Sequence, residues 1–186
     1  MFTNKKLKIS NFKLKSKAPA FQAQSLSGKF QRRFSGIQYY QFECDVNFQI
    51  EDISEVKAFI ARHTFGRPFN VPLYYFTEYK GDVQGMVTAS TPAKRGARKL
   101  TVSNFKGTLK AGTTIQFENH KKLYEVTEDC KGNGELKLFP NLYQNVLAGE
   151  VIRYQNPVGE FTLTTDSMEY DLTQISKIKI KATENV

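Results

Sequence analysis

From Tyr40 to Ile50 the chain is apolar at every second position, with Tyr40, Phe42, Cys44, Val46, Phe48 and Ile50 separated by Gln41, Glu43, Asp45, Asn47 and Gln49. Successive strand side chains point to opposite faces, so one face of this segment is buried and the other wetted. Half-solvated antiparallel sheets carry such alternation; strands covered on both faces read as continuous apolar runs. The period then changes. Ile53, Val56, Phe59 and Ile60 fall at helical spacing, and Asp52 with Glu55 three residues on is an Asp-led variant of the capping box. Gly66 and Pro68 are the stop signals expected beyond a helix. These residues predict a long strand feeding directly into a helix over Asp52 to His63.

The flanking sequence predicts further strands. Lys5 to Leu14 alternates loosely, with Leu7 and Ile9, then Phe12 and Leu14, between lysines and serines, and reads as an edge strand or extended arm. Lys15 to Ser27 reads as a loop, followed by a turn and short strand around Gly28. After the helix, Pro68 and Pro72 bracket an aromatic cluster of Phe69, Tyr74, Tyr75 and Phe76, a pattern suited to an edge strand. Glu78 to Arg98 is rich in Gly, Lys, Thr and Ala, as a boundary would be.

From Lys99 onward come several short strands: Leu100 with Val102, Thr114 to Phe117, Leu123 to Val126, Leu136 to Phe139 and Val151 to Tyr154. Glu118 to Lys121 reads as a tight turn, and Lys131-Gly132-Asn133-Gly134 as a hairpin signal. So many strands in so short a span predict a small closed barrel or sandwich. After Asn156-Pro157, Phe161 and Leu163, then Ile175, Ile178 and Ile180 set against Lys177, Lys179 and Lys181, return to the longer periodicity of the first unit. The expected fold is mainly β: an antiparallel β-sandwich with one packed α-helix, formed by residues 1–80 and 157–186. A small SH3- or OB-like β-barrel over 98–156 is inserted in it, behind a linker at 81–97.

Aromatics make up 13% of the 186 residues, all Phe or Tyr, which suits strands. No run of about 18 apolar residues is present, so membrane insertion is not expected, and the basic N-terminus lacks the apolar stretch of a secretory signal. Cytoplasmic synthesis is the expectation. Cys44 and Cys130 are far apart, and two Cys with two His make no zinc spacing.

Catalytic constellations are hard to find. There is no glycine-rich phosphate loop, nucleophile elbow or metal-binding histidine pair. His63 falls in the last helical turn, where partial positive charge suits the dipole. His120 sits in a polar turn and is expected in solvent. Asp166 and Glu169 near Tyr170 have the residue types of an acid/base couple, but acidic residues in a hairpin turn are the commoner case. No enzyme activity, cofactor or metal is expected.

The net charge of +9 raises the question of an acidic partner. Lys5, Lys6, Lys8, Lys13, Lys15 and Lys17 crowd the N-terminus, and Lys94, Arg95, Arg98 and Lys99 form a candidate basic surface. Solvated lysines on outer strand faces and edges are the plain reading. Aromatics beside cations, as at Phe30 to Phe34 with Arg32 and Arg33, or Tyr74 to Tyr79 with Lys80, also suit single-stranded nucleic acid.

The order of these pieces resembles a known family. A polar turn leads through Arg33-Phe34-Ser35-Gly36 into the long strand. A helix, Gly66-Arg67-Pro68-Phe69, an aromatic–proline strand and a late closing strand follow. This is similar to the minor tail proteins of long-tailed bacteriophages, the group of the lambda minor tail protein M and the distal tail proteins. The helix, glycine and aromatic strand match at Val56 to Phe76. Leu109-Lys110-Ala111-Gly112-Thr113, Leu123 to Thr127 and Gly134 to Pro140 look like the small barrel inserted in many phage tail-tip proteins, with Thr113 where that pattern has Asp. The resemblance implies a virion protein of the tail, assembled in the host cytoplasm. Its subunits form a ring, commonly a hexamer, joining the tail tube to the tip, hub or fibre proteins, with non-specific DNA nearby in the lumen. On that reading Lys5, Lys6, Lys8, Phe69, Tyr74, Tyr75 and Phe76 are the candidate intersubunit contacts. A basic β-barrel that binds nucleic acid is the alternative.

Overall fold

The computed structural model describes residues 6–73, 76–165, 169–170 and 173–186. It is mainly β, at 50% strand and 9% helix, so the aromatic-rich sequence went into antiparallel sheets as expected. The chain divides into two compact units. One holds the residues up to Lys17, Tyr39–Val71 and Glu160–Asn185; the other holds Ala18–Gln38 and Pro72–Gly159.

In the first unit, β1 (Lys8–Lys17), β4 (Tyr39–Gln49), β15 (Ile175–Glu184), β14 (Val158–Leu163) and β5 (Phe69–Pro72) lie in that order across one five-stranded sheet. Tyr40, Phe42, Cys44, Val46 and Phe48 are all buried, which is the face the alternation assigned to the core. In β15, Ser176, Ile178, Ile180 and Ala182 are buried while Lys177, Lys179 and Lys181 are exposed. β5 stands at the sheet edge, where Pro72 costs no ladder hydrogen bond.

A 3-10 turn over Ile50–Asp52 leads into α1 (Ile53–His63), which buries Val56, Phe59, Ile60 and His63 at i, i+3, i+4 and i+7. Asp52 is the N-cap residue but makes no side-chain cap hydrogen bond, so the expected capping box does not form through it. Thr64 closes the helix, its hydroxyl and N–H both donating to the Ile60 carbonyl, and Gly66 follows at φ 80°. The ring of Phe69 meets Phe59, His63 and Phe42 at centroid distances of 5.1, 5.1 and 6.3 Å, which seats the helix on the sheet.

β1 contains a bulge. Ser10 pairs with Asp45 and Lys13 with Glu43, so Asn11 and Phe12 together oppose Cys44. Asn11 takes φ 50°, and Phe12 stacks on Phe42 at 5.3 Å. The bulge keeps both Ile9 and Phe12 on the core face although they are an odd number of residues apart.

In the second unit, β13 (Ile152–Arg153), β9 (Thr114–Phe117), β10 (Leu123–Val126), β12 (Glu135–Phe139), β7 (Lys99–Lys106) and β6 (Gln84–Ala89) form a six-stranded sheet in that order. The Thr88–Val151 bridge and the Ala89 N–H donating to the Glu150 carbonyl nearly close it into a barrel. Val87, Val102, Leu109, Ile115, Tyr124 and Leu136 fill the interior. Gly85, at φ 102° in the β6 bulge, is required there: a Cβ would stand 2.9 Å from the Asn104 carbonyl oxygen.

Four sequence expectations change here. Residues 81–97, expected as a linker, supply β6 and group with the barrel. Lys131 to Gly134 does not join neighbouring strands, because β11 (Cys130–Lys131) pairs with β8 (Thr108–Leu109) while β12 pairs with β7 and β10. Lys15 to Ser27 is not a loop: β1 continues to Lys17, and Ala20–Gln24 (β2) pairs with Phe30–Phe34 (β3) as a hairpin. Residues 18–38, expected in the sandwich, group with the barrel unit.

Candidate interaction surfaces

The β2–β3 hairpin pairs Ala20 with Phe34, Phe21 with Arg33, Gln22 with Arg32, Ala23 with Gln31 and Gln24 with Phe30. Apart from the half-buried Ala20 and Phe34 at its base, both strands are exposed throughout. Phe21, Phe30 and the turn residue Leu26 are 73%, 58% and 111% exposed. The turn is fixed locally: Ser25 N–H donates to the Lys29 carbonyl, and Lys29 N–H to the Ser25 hydroxyl. At its base the hairpin is anchored. Ser35 N–H and hydroxyl both donate to the Pro19 carbonyl, and Phe34 meets Phe139 at 5.6 Å.

Of the expected intersubunit residues, Lys5, Tyr74 and Tyr75 lie outside the described residues. Lys6 and Lys8 are exposed, and Phe76 is 45% exposed. Phe69 is buried in the aromatic cluster of the first unit, so it is core and offers no surface to a neighbour.

The four candidate cations, Lys94, Arg95 and Arg98 before β7 and Lys99 at its start, have different local settings. Lys94 and Arg95 sit in a turn held by the Arg95 N–H donating to the Asn145 side-chain oxygen. Arg98 and Lys99 line a groove with Phe34, Phe139 and Lys137. Lys99 is ion-paired with Glu135 at 2.8 Å and Lys137 with Glu128 at 2.7 Å, which leaves Arg98 as the groove cation without a carboxylate within 4 Å among the described residues.

His120 is buried, contrary to its expected place in solvent. His120 Nε2 faces acceptors, so Nδ1 accepts from the Tyr124 hydroxyl at 3.0 Å, and that oxygen in turn accepts from the Tyr143 N–H at 3.1 Å. His120 then carries its proton on Nε2, facing the Asn145 carbonyl at 3.4 Å and Glu150 at 4.0 Å. Burial holds the imidazole below its ordinary pKa, against the smaller opposing pulls of the Asn145 carbonyl and Glu150. The Glu150 carboxylate accepts from the Asn119 and Leu147 N–H groups. With the His120 and Glu150 side chains 1% and 2% exposed, a substrate has no approach, and the network fastens two loops together.

His63 is likewise a packing residue: its Nδ1 donates to the Arg67 carbonyl at 2.8 Å and its ring lies against Phe59 and Phe69. Cys44 and Cys130 are free and buried. Burial, aided by the carboxylates of Asp45 and Glu43, pushes the Cys44 thiol up to about 12, and burial also raises that of Cys130. Asp166 lies outside the described residues; Tyr170 packs under the Lys57 ammonium at 5.7 Å. No group of three or more His, Cys, Asp or Glu that could hold a metal occurs among the described residues. Nor is any described helix long and apolar enough to cross a membrane.

Fold and surfaces together define a two-unit, mainly β protein in which one hairpin carries three exposed large apolar residues, Phe21, Leu26 and Phe30. No family model matches the chain, and no curated protein is detectably similar to it.

Proposed function

We propose that this chain is a structural subunit of a phage tail, forming a ring at the distal end of the tube and joining it to tip, hub or fibre components. The observation that carries the reading is the β2–β3 hairpin, whose Phe21, Leu26 and Phe30 stand in solvent. A two-stranded hairpin is marginal in water on its own, and apolar residues presented on such an arm mark a contact surface. Ring subunits use contacts of this kind, a projecting element of one copy meeting a different surface of the next, closed by rotation. The order of strand, helix, glycine and aromatic strand supports the same reading through its resemblance to the distal tail group. The alternative, nucleic acid bound on the barrel, has less to support it, because the groove cations Lys99 and Lys137 are already paired.

The test is the mass of the protein in solution and on purified tail tubes, for the wild type and for Phe21→Ser combined with Phe30→Ser. The expected result is a closed oligomer of the wild type, free or on tubes, and a folded monomer of the variant. A wild type that stays monomeric and is not taken up by tubes overturns the reading.

A further inference from the structure

The fold brings lysines from opposite ends of the sequence onto one face. Register places Lys8, Lys13, Lys15 and Lys17 of β1 on the same side as Gln41, Glu43 and Asn47 of β4, and Lys177, Lys179 and Lys181 of β15 on that side too. All seven lysines are exposed. Lys177 pairs with Asp45 at 2.9 Å and Lys179 with Glu43 at 3.2 Å, using up the two acids of β4. Lys8, Lys13, Lys15, Lys17 and Lys181 form no ion pair within 4 Å among the described residues. A depression between the rows is lined by Lys15, Gln41, Glu43, Thr164 and Lys181, together with the buried Phe42 and Ala182.

The geometry repeats. Alternate residues of a strand stand about 6.6–6.8 Å apart, and the β1 and β15 rows, with β4 between them, about 9.5 Å. We propose that this lysine-bearing sheet face is a binding surface for the phosphate backbone of nucleic acid, taken without regard to sequence. Lysine meets phosphate as a point charge, and evenly spaced cations suit a polymer whose charges also repeat. Between the rows stand Tyr39, Gln41, Glu43, Asp45 and Asn47 of β4; the half-buried Tyr39, opposite Lys17 at one end, is the one ring among them, and no aliphatic anchor stands there. Protein interfaces are depleted in lysine and apolar at their centres, and membrane-seated faces carry aromatic or aliphatic residues into the lipid. This face has neither character. The inference stands apart from the ring reading, since a monomer and a ring would both carry the face.

The experiment is titration of the full chain with two labelled short DNA duplexes of unrelated sequence, alongside anionic phospholipid vesicles. With five unpaired lysines contributing, affinity falls roughly 10²–10³-fold between about 50 and 200 mM salt. Both duplexes are expected to bind alike, and vesicles more weakly. The variant Lys13→Gln, Lys15→Gln, Lys17→Gln, Lys181→Gln retains one unpaired lysine, so its salt dependence drops to about 3- to 4-fold over the same range. A barrel variant, Lys94→Gln, Arg95→Gln, Arg98→Gln, Lys99→Gln, should bind like the wild type. Thermal melts of both variants confirm that they are folded. No DNA binding, tighter binding to vesicles, or loss confined to the barrel variant each overturns the proposal.

Discussion

The Tyr143 hydroxyl accepts from the Gln38 N–H at 2.7 Å and donates to the Gln38 carbonyl at 2.8 Å, so one side chain satisfies both backbone groups of a fully buried residue. Gln38 follows the projecting hairpin, and this clamp fixes where that segment meets the barrel unit. Tyr143→Phe keeps the ring and deletes both bonds. The expected loss is about 1–3 kcal/mol, because a buried donor and acceptor are left without their partner. Urea unfolding measures it, and hydrogen exchange at the Gln38 amide should quicken in the variant.

His120 makes the barrel unit sensitive to mild acid. Its folded pKa lies below the ordinary value near 6.5, so above that pH both states are neutral and its contribution is intact. As pH falls below about 6.5 the unfolded chain takes up the proton first, and stability declines until the folded pKa is passed. Unfolding midpoints at neutral pH and in mild acid should show this decline, and His120→Asn should flatten it.

Asp45 gives an acid-side effect of similar sign in the first unit. Its carboxyl is held below the usual range first by the Asn11 amide, at 2.7 Å, and then by Lys177. That contribution is present above the ordinary carboxylate pKa and lost as pH falls through the lowered folded value. Asn11→Gly tolerates the φ of 50° and removes only the amide. The Asp45 pKa, followed by carboxyl NMR, should rise in this variant while remaining lowered by Lys177.

Both thiols should be silent in the native protein. Cys44 and Cys130 are buried with raised pKa values, so the thiolate is scarce and shielded. A thiol-reactive chromophore should report almost no reaction at neutral pH and two thiols after denaturation. Rapid labelling of the folded chain would contradict the burial of β4.

How much of this was legible follows from where the physics is local. The β4 alternation and the α1 spacing carry their own period, and both elements form where the sequence places them. The step from Ile9 to Phe12 is a phase slip in β1, and the bulge at Asn11 is its structural counterpart. The β2 and β3 strands were less legible because a hairpin largely without a buried face has little hydrophobic alternation to write. Lys131 to Gly134 has the composition of a tight hairpin, but pairing between β8 and β11 decides the local path. His120 sits in a polar turn, and its burial draws on the distant Asn145 and Glu150 as well as the nearby Phe117 and Tyr124 rings. The lysines of β1 and β15 are each visible in the sequence; their sharing of one face is a property of sheet order.

The same sheet order has a consequence for biosynthesis. β4 is flanked by β1, made long before, and by β15, the last strand along the chain. All strands of the barrel are synthesised before β15, so the barrel can begin to fold while the five-stranded sheet still lacks an interior member. Throughout that interval β4, the most apolar strand of the sheet, has an open edge capable of pairing with other nascent chains. Expression yield should therefore depend on how quickly β15 is completed, and chains truncated before Ile175 should accumulate as aggregates.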